Sequence, residues 1–283
     1  MLLIACSCLG FAAMAVAARA LSGFASAPQV ASIRFGTGAV GGLMVFLLRR
    51  QRPALHRPFG LALRGLLGGV AVLLYFTAID RLGAGPATML NYCSPCYAAL
   101  FAYLFLKERP GPLLYLGLLI ATGGAVMVVV GTGTLAHPLS PGVGAVAGVL
   151  SGVVGGAAMA TVHTLRKDTD SLTVFVAFCV VGLLVCLPFA LADWRPLSPE
   201  LWLRGAVVGV LAMVGQLLFT WGMGFTTAST GSATTQLTVA LSFVLELLVL
   251  GVAPAALSAA GAAVCLLGVL VSVVRPREAR RLP

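Results

Sequence analysis

GLLIATGGAVMVVV (residues 117–130) and GAAVCLLGVLVSVV (residues 261–274) lie 144 positions apart and share one pattern: a leading glycine, another glycine seven residues on, and otherwise nearly unbroken apolar side chains. Gly117 aligns with Gly261 and Gly124 with Gly268; the same offset sets Ala84 on Ala228 and the region of Tyr92 on Gln236. Internal similarity of this kind divides the chain into two halves, 1–138 and 139–283.

Composition says what solvent those halves meet. Of the 283 residues, 60% are hydrophobic and 9% charged, against about a quarter charged in a soluble chain. The mean hydropathy is +1.05. A soluble fold of this length cannot hide so much apolar surface, so the solvent is lipid. A bilayer span needs roughly 20 apolar residues, and the runs 2–20, 28–48, 61–80, 84–106, 111–131, 141–165, 171–192, 202–224, 227–251 and 254–274 supply ten candidates. The stretch from Met1 to Ala18 has no basic segment ahead of it and is read as a retained first span rather than a cleaved leader.

The net charge of +10 sits mostly in clusters between apolar runs, which marks membrane topology rather than nucleic-acid binding. With ten spans, one side carries thirteen basic residues (Arg49, Arg50, Arg52, Arg57, Arg64, Lys107, Arg109, Arg166, Lys167, Arg275, Arg277, Arg280 and Arg281) and the other four (Arg19, Arg81, Arg195 and Arg204). The rule that basic loops stay inside places both termini in the cytoplasm. Five spans per half is an odd number, so the second half enters the membrane from the opposite side. The predicted fold is therefore an all-α membrane protein of ten transmembrane helices, arranged as two inverted five-helix repeats around a central cavity. Such a pair of repeats can exchange shapes and open alternately inward and outward, which points to a transporter.

Two further stretches carry a family resemblance. PQVASIRFGTGAVGGLMVFLL (28–48), with an arginine opening a Gly/Ala-rich helix, and GAGPATMLNYCSPCYAALFAYLFLKERP (83–110), with small residues first, a proline in mid-helix and an acid at the end, resemble the second and fourth helices of the EamA-type drug/metabolite transporter superfamily. GLLIATGGAVMVV resembles its fifth. The resemblance is closest to the YddG-like amino-acid exporters. It implies ten helices, export from the cytoplasm and a central substrate cavity.

Polar side chains deep within spans face the bundle interior, because lipid offers them no partner. In the fourth span Pro95 has no N–H, which frees the carbonyl of Asn91 and kinks the helix; a freed carbonyl is tolerated only against protein or a watery cavity. Asn91, Tyr92 and Pro95 are thus candidate substrate contacts, as are Gln216 and Trp221 in the eighth span, Gln236 in the ninth and Tyr75 in the third. Arg34 and Glu246 are embedded ionisable groups, candidates for an ion pair or, with His163, for proton coupling. Neutral amides and hydroxyls with aromatic walls, and little fixed charge, favour neutral and aromatic amino acids over nucleotide sugars, whose phosphates call for several basic groups. No cofactor and no metal are expected; the expected partners are a small-molecule substrate and the lipid bilayer.

Two enzyme readings compete. Cys93 and Cys96 spell the C-x-x-C of thiol oxidoreductases, and Ser151 with His163 on one helix loosely resembles a serine protease pair. A passive channel is a third alternative. The sixteen arginines against two lysines hint at a GC-rich genome and so at a bacterial inner membrane.

Overall fold

The computed structural model describes residues 2–50, 57–94, 97, 112–131, 141–165, 169–222, 235 and 237–273. Ten helices run through them: α1 (Leu2–Ala20), α2 (Ala27–Arg49), α3 (Pro58–Leu82), α4 (Ala84–Asn91), α5 (Pro112–Gly131), α6 (Pro141–Leu165), α7 (Ser171–Ala192), α8 (Pro199–Gly222), α9 (Leu237–Leu250) and α10 (Ala256–Val273). Their starts follow local chemistry. Proline opens α3, α5, α6 and α8, where the missing N–H would have had no helical partner anyway. Asp170 opens α7, its Oδ1 accepting from the backbone N–H of Leu172 at 3.0 Å and of Thr173 at 2.9 Å. Gln29, fully buried in the first turn of α2, donates to the carbonyl of Arg195 at 2.8 Å and so ties that turn to the α7–α8 loop.

Six helices, α1, α2, α3, α6, α7 and α8, are long and apolar enough to cross a membrane; the described apolar stretches of α5, α9 and α10 are shorter. Residues 95, 96 and 98–106 of the fourth apolar run, and 227–234 and 236 of the ninth, lie outside the described residues. The chain is a multi-pass membrane protein. Its surface fits that solvent: Leu47, Leu48, Phe59, Leu119, Leu203 and Leu248 are each at least two-thirds exposed, where lipid contacts them without cost.

Inside, the bundle is held by close approach of small residues, the usual basis of helix association in lipid. The α5–α10 pair shows it best. These helices run antiparallel, with Gly131 against Ser258, Gly124 against Cys265 and Gly268 against Ala121. A Cβ on Gly261 would stand 2.8 Å from the carbonyl oxygen of Gly124, and one on Gly268 2.7 Å from that of Gly117. The glycines that align the two halves at the 144-residue offset are therefore contact positions of this seam. Elsewhere α1 packs along α8, α3 along α6, α2 along α7, and α4 along α9.

Candidate central transport site

Arg64, Gly68, Ala71, Val72 and Tyr75 recur along α3 at the spacing of one helical face, and all five line a cavity of about 170 Å³ at the centre of the bundle. The other walls come from Phe11 and Met14 of α1, Arg34 of α2, Asn91 at the end of α4, Gly155 of α6, Phe178 of α7, and Gln216 and Phe219 of α8. Four expected substrate residues thus meet here: Tyr75, Asn91, Tyr92 and Gln216. Trp221 does not. It follows Phe219 by two residues, about 200° around the helix, and is 60% exposed on the outer face. Pro95 and Gln236 lie outside the described residues.

The polar groups are held in place. The Thr88 hydroxyl donates to the Ala84 carbonyl at 2.6 Å, so it accepts from the Tyr75 hydroxyl 2.7 Å away. Asn91 donates its amide to Ser151 at 3.1 Å, and Ser151 donates to the Gly148 carbonyl at 2.7 Å. Regular helix stops at Asn91: Cys93 bonds three residues back to Leu90, and Tyr97 bonds again to the carbonyl of Cys93, both at 3.4 Å. The break expected at Pro95 falls on a residue outside the described part; the turn seen here precedes it. This turn fits because α6 presents Gly152, where a Cβ would stand 2.7 Å from the Leu90 carbonyl oxygen.

The cavity carries more fixed charge than the sequence reading allowed. Arg64, grouped with the cytoplasmic basic residues although it falls inside the 61–80 run, sits in the second turn of α3, which starts at Pro58. It is 8% exposed and Arg34 7%. The Arg64 guanidinium lies 4.3 Å from the centre of the Phe178 ring and that of Arg34 5.9 Å from it; Arg34 also faces Phe35 at 5.2 Å and Phe76 at 5.8 Å. A desolvated cation–π contact contributes about 2 kcal/mol, while burying an unpaired ion costs several kcal/mol. The rings alone do not offset the burial. Arg34 Nη1 and Arg64 Nε have no hydrogen-bond acceptor among the described residues.

The expected pairing of Arg34 with Glu246 is replaced by a different arrangement. Glu246, 5% exposed on α9, accepts from the backbone N–H of Ala84 at 2.8 Å and of Gly85 at 2.7 Å. Its carboxylate caps the N-terminus of α4, where aligned peptide dipoles favour negative charge. Gly83 makes room: its φ of +96° suits glycine, and a Cβ there would lie 2.7 Å from Glu246 Oε1. A second cavity, of about 230 Å³, adjoins this cap and is lined by Arg19, Glu246 and Ser258. Arg19 is committed to the C-terminus of α3, donating to the Asp80 carbonyl at 2.6 Å.

The groups behind the enzyme readings are placed otherwise. The Cys93 sulfur lies 3.3 Å from that of Cys265 in α10, and Cys96 is outside the described residues. Ser151 and His163 are twelve residues apart, about 18 Å along the axis of α6, and the Ser151 hydroxyl is engaged by Asn91 and Gly148. The side chain of His163 lies outside the described part.

Relatives agree with a membrane transporter. The model of the EamA-like transporter family matches residues 1–130 and 142–274. The chain is similar to the pseudopaline exporter CntI of Pseudomonas aeruginosa, 31% identical over 197 residues that cover 67% of each chain. An uncharacterized transporter of Helicobacter pylori is 30% identical over 57% of this chain and 55% of its own. A solved crystal structure shares the fold with a TM-score of 0.68 at 20% identity, covering 96% of both chains. The chain belongs to the EamA-like transporter family.

Proposed function

We propose that the protein is an alternating-access exporter, built from two inverted five-helix repeats, that carries a small carboxylate-bearing metabolite out of the cytoplasm through the central cavity. The observation that carries this reading is the pairing of the cavity's lining positions. Phe11 and Gly155, Met14 and Ala158, Arg34 and Phe178, Val72 and Gln216, Tyr75 and Phe219, and Asn91 and Thr235 all line it, and each pair is separated by the 144 residues of the repeat. Helix starts keep the same offset, Ala27 with Ser171 and Pro112 with Ala256. Exchanging each helix with the one five places away also preserves the main packing pairs, α1·α8 becoming α6·α3. A cavity on a two-fold axis in the membrane plane is the expected place for a carried solute.

Neutral and aromatic amino acids remain the simplest substrates of this kind, each with one carboxylate for an arginine and an apolar side chain for Phe11, Phe178 and Phe219. The likeness to a Pseudomonas exporter supports the outward direction. The basic clusters support cytoplasmic termini, and the bacterial relatives support a bacterial inner membrane. Proteoliposomes preloaded with a labelled panel (phenylalanine, threonine, methionine and larger amino-acid derivatives) test the proposal. The expected result is saturable efflux of at least one solute. Efflux no faster than from protein-free vesicles across the panel, with the protein monodisperse, refutes it; flux that rises without saturation identifies a channel.

A further inference from the structure

We infer that the central cavity is shaped for an organic dianion, a small metabolite with an apolar body whose oxyanions are taken by Arg34 and Arg64; this rests on reading the cavity as the transport site. Both guanidiniums are more than nine-tenths buried, and both line the cavity. Each keeps a nitrogen without an acceptor among the described residues. The described lining holds no aspartate or glutamate, and Glu246 is spent on the α4 cap. The two cations share one ring, Phe178, at 4.3 and 5.9 Å, so they act on one ligand rather than on two separate ones. A buried ionisable group inside a membrane bundle marks function by default, and a planar guanidinium with open N–H edges matches an oxyanion. The remaining wall is apolar and aromatic apart from a few hydroxyls and the amides of Asn91 and Gln216, which suits an organic anion rather than an inorganic ion.

Carboxylates and a phosphate ester present the same chemistry to arginine, and the test separates them. Thermal unfolding of the purified full-length protein in detergent is followed with phenylsuccinate (two carboxylates), phenyl phosphate (one phosphate), phenylalanine and phenylalaninamide (no anionic group). The expected result is a saturable rise in Tm with phenylsuccinate or phenyl phosphate, the stronger of the two naming the oxyanion, and none with phenylalaninamide. Arg34→Gln and Arg64→Gln each raise the half-saturating concentration by roughly thirtyfold or more. Without ligand these variants melt no lower than the unmodified protein, because an unpaired buried charge has gone; arginines that only brace the aromatic cluster would make the variants melt lower. An equal response to phenylalanine or phenylalaninamide, no response to either dianion, or Gln variants that melt lower overturns the inference. The comparison of anion with amide needs no variant, so a misfolded substitution leaves the test decisive. Saturable efflux of a neutral solute with no anion response overturns the dianion and leaves export standing; an anion response without any flux has the opposite meaning.

Discussion

Replacing Gly124 by leucine is expected to abolish the folded protein. The Cβ alone would land on the backbone nitrogen and Cα of Cys265, and backbone cannot step aside as a flexible side chain can. Overpacking a core with extra methylenes costs about 1–3 kcal/mol when side chains absorb it. Here α5 and α10 must move apart along their whole seam, which also opens the close approaches at Gly261 and Gly268. Gly268→Leu is expected to behave alike, since its Cβ meets Ala121 and the Gly117 carbonyl. The check is the monodisperse fraction after detergent extraction, with Leu119→Ala, a change on the lipid-facing side of α5 (Leu119 is 73% exposed), as the neutral control. Wild-type yield and Tm for Gly124→Leu would contradict the seam.

Glu246→Ala is the second large effect. It removes the acceptor of two buried N–H groups at the start of α4. Hydrogen bonds to a charged group contribute about 1.5–3 kcal/mol each, and a donor left buried and unpaired costs its full desolvation. A loss of about 3–5 kcal/mol in unfolding free energy follows for the pair. Glu246→Gln keeps one carbonyl oxygen and is expected to lose about half as much. Because Glu246 reaches from α9 across to α4, the same substitution should loosen the packing of those helices and slow transport. Unfolding in mixed detergent micelles measures the first effect. Equal stability of Ala and Gln variants with the unmodified chain would show that the cap is not a structural link.

What the sequence made legible followed from properties that need only local residues. The apolar runs located the helices, and the seven-residue glycine spacing at 117, 124, 261 and 268 aligned the two halves; that the same glycines line the seam between α5 and α10 shows only in the fold. Tyr75, Asn91, Tyr92 and Gln216 were found because a polar or amphipathic residue deep in a span has few other places to go. The misses have physical reasons. Arg64 reads as part of the basic cluster from Arg49 to Arg57 although it falls inside the 61–80 run; its spacing of four, seven, eight and eleven residues from Gly68, Ala71, Val72 and Tyr75 is the signal that places it on the cavity face. The indole of Trp221 suggests a cavity wall, but its place two residues, about 200° of helix, from Phe219 turns it to the outer face. The partner of Glu246 was out of reach, since a carboxylate that caps peptide N–H groups 161 and 162 residues away leaves no trace in side-chain pattern. The proposed repeat is faint in the cavity for a similar reason. Arg34 is matched by Phe178 and Tyr75 by Phe219, so the backbone positions correspond while the side chains have diverged.

An alternating-access carrier exposes this cavity to each side of the membrane in turn. Gly155 lines it, and among the described residues a Cβ there meets only the Ser94 side chain, at 3.7 Å, so Gly155→Cys introduces a thiol with little strain. The measurement is its modification by membrane-impermeant sulfonatoethyl methanethiosulfonate, added to one face of oriented vesicles at a time, with the unmodified protein as background. Labelling is expected from either face, slowed by a transported solute. Labelling confined to one face under every condition would contradict alternating access.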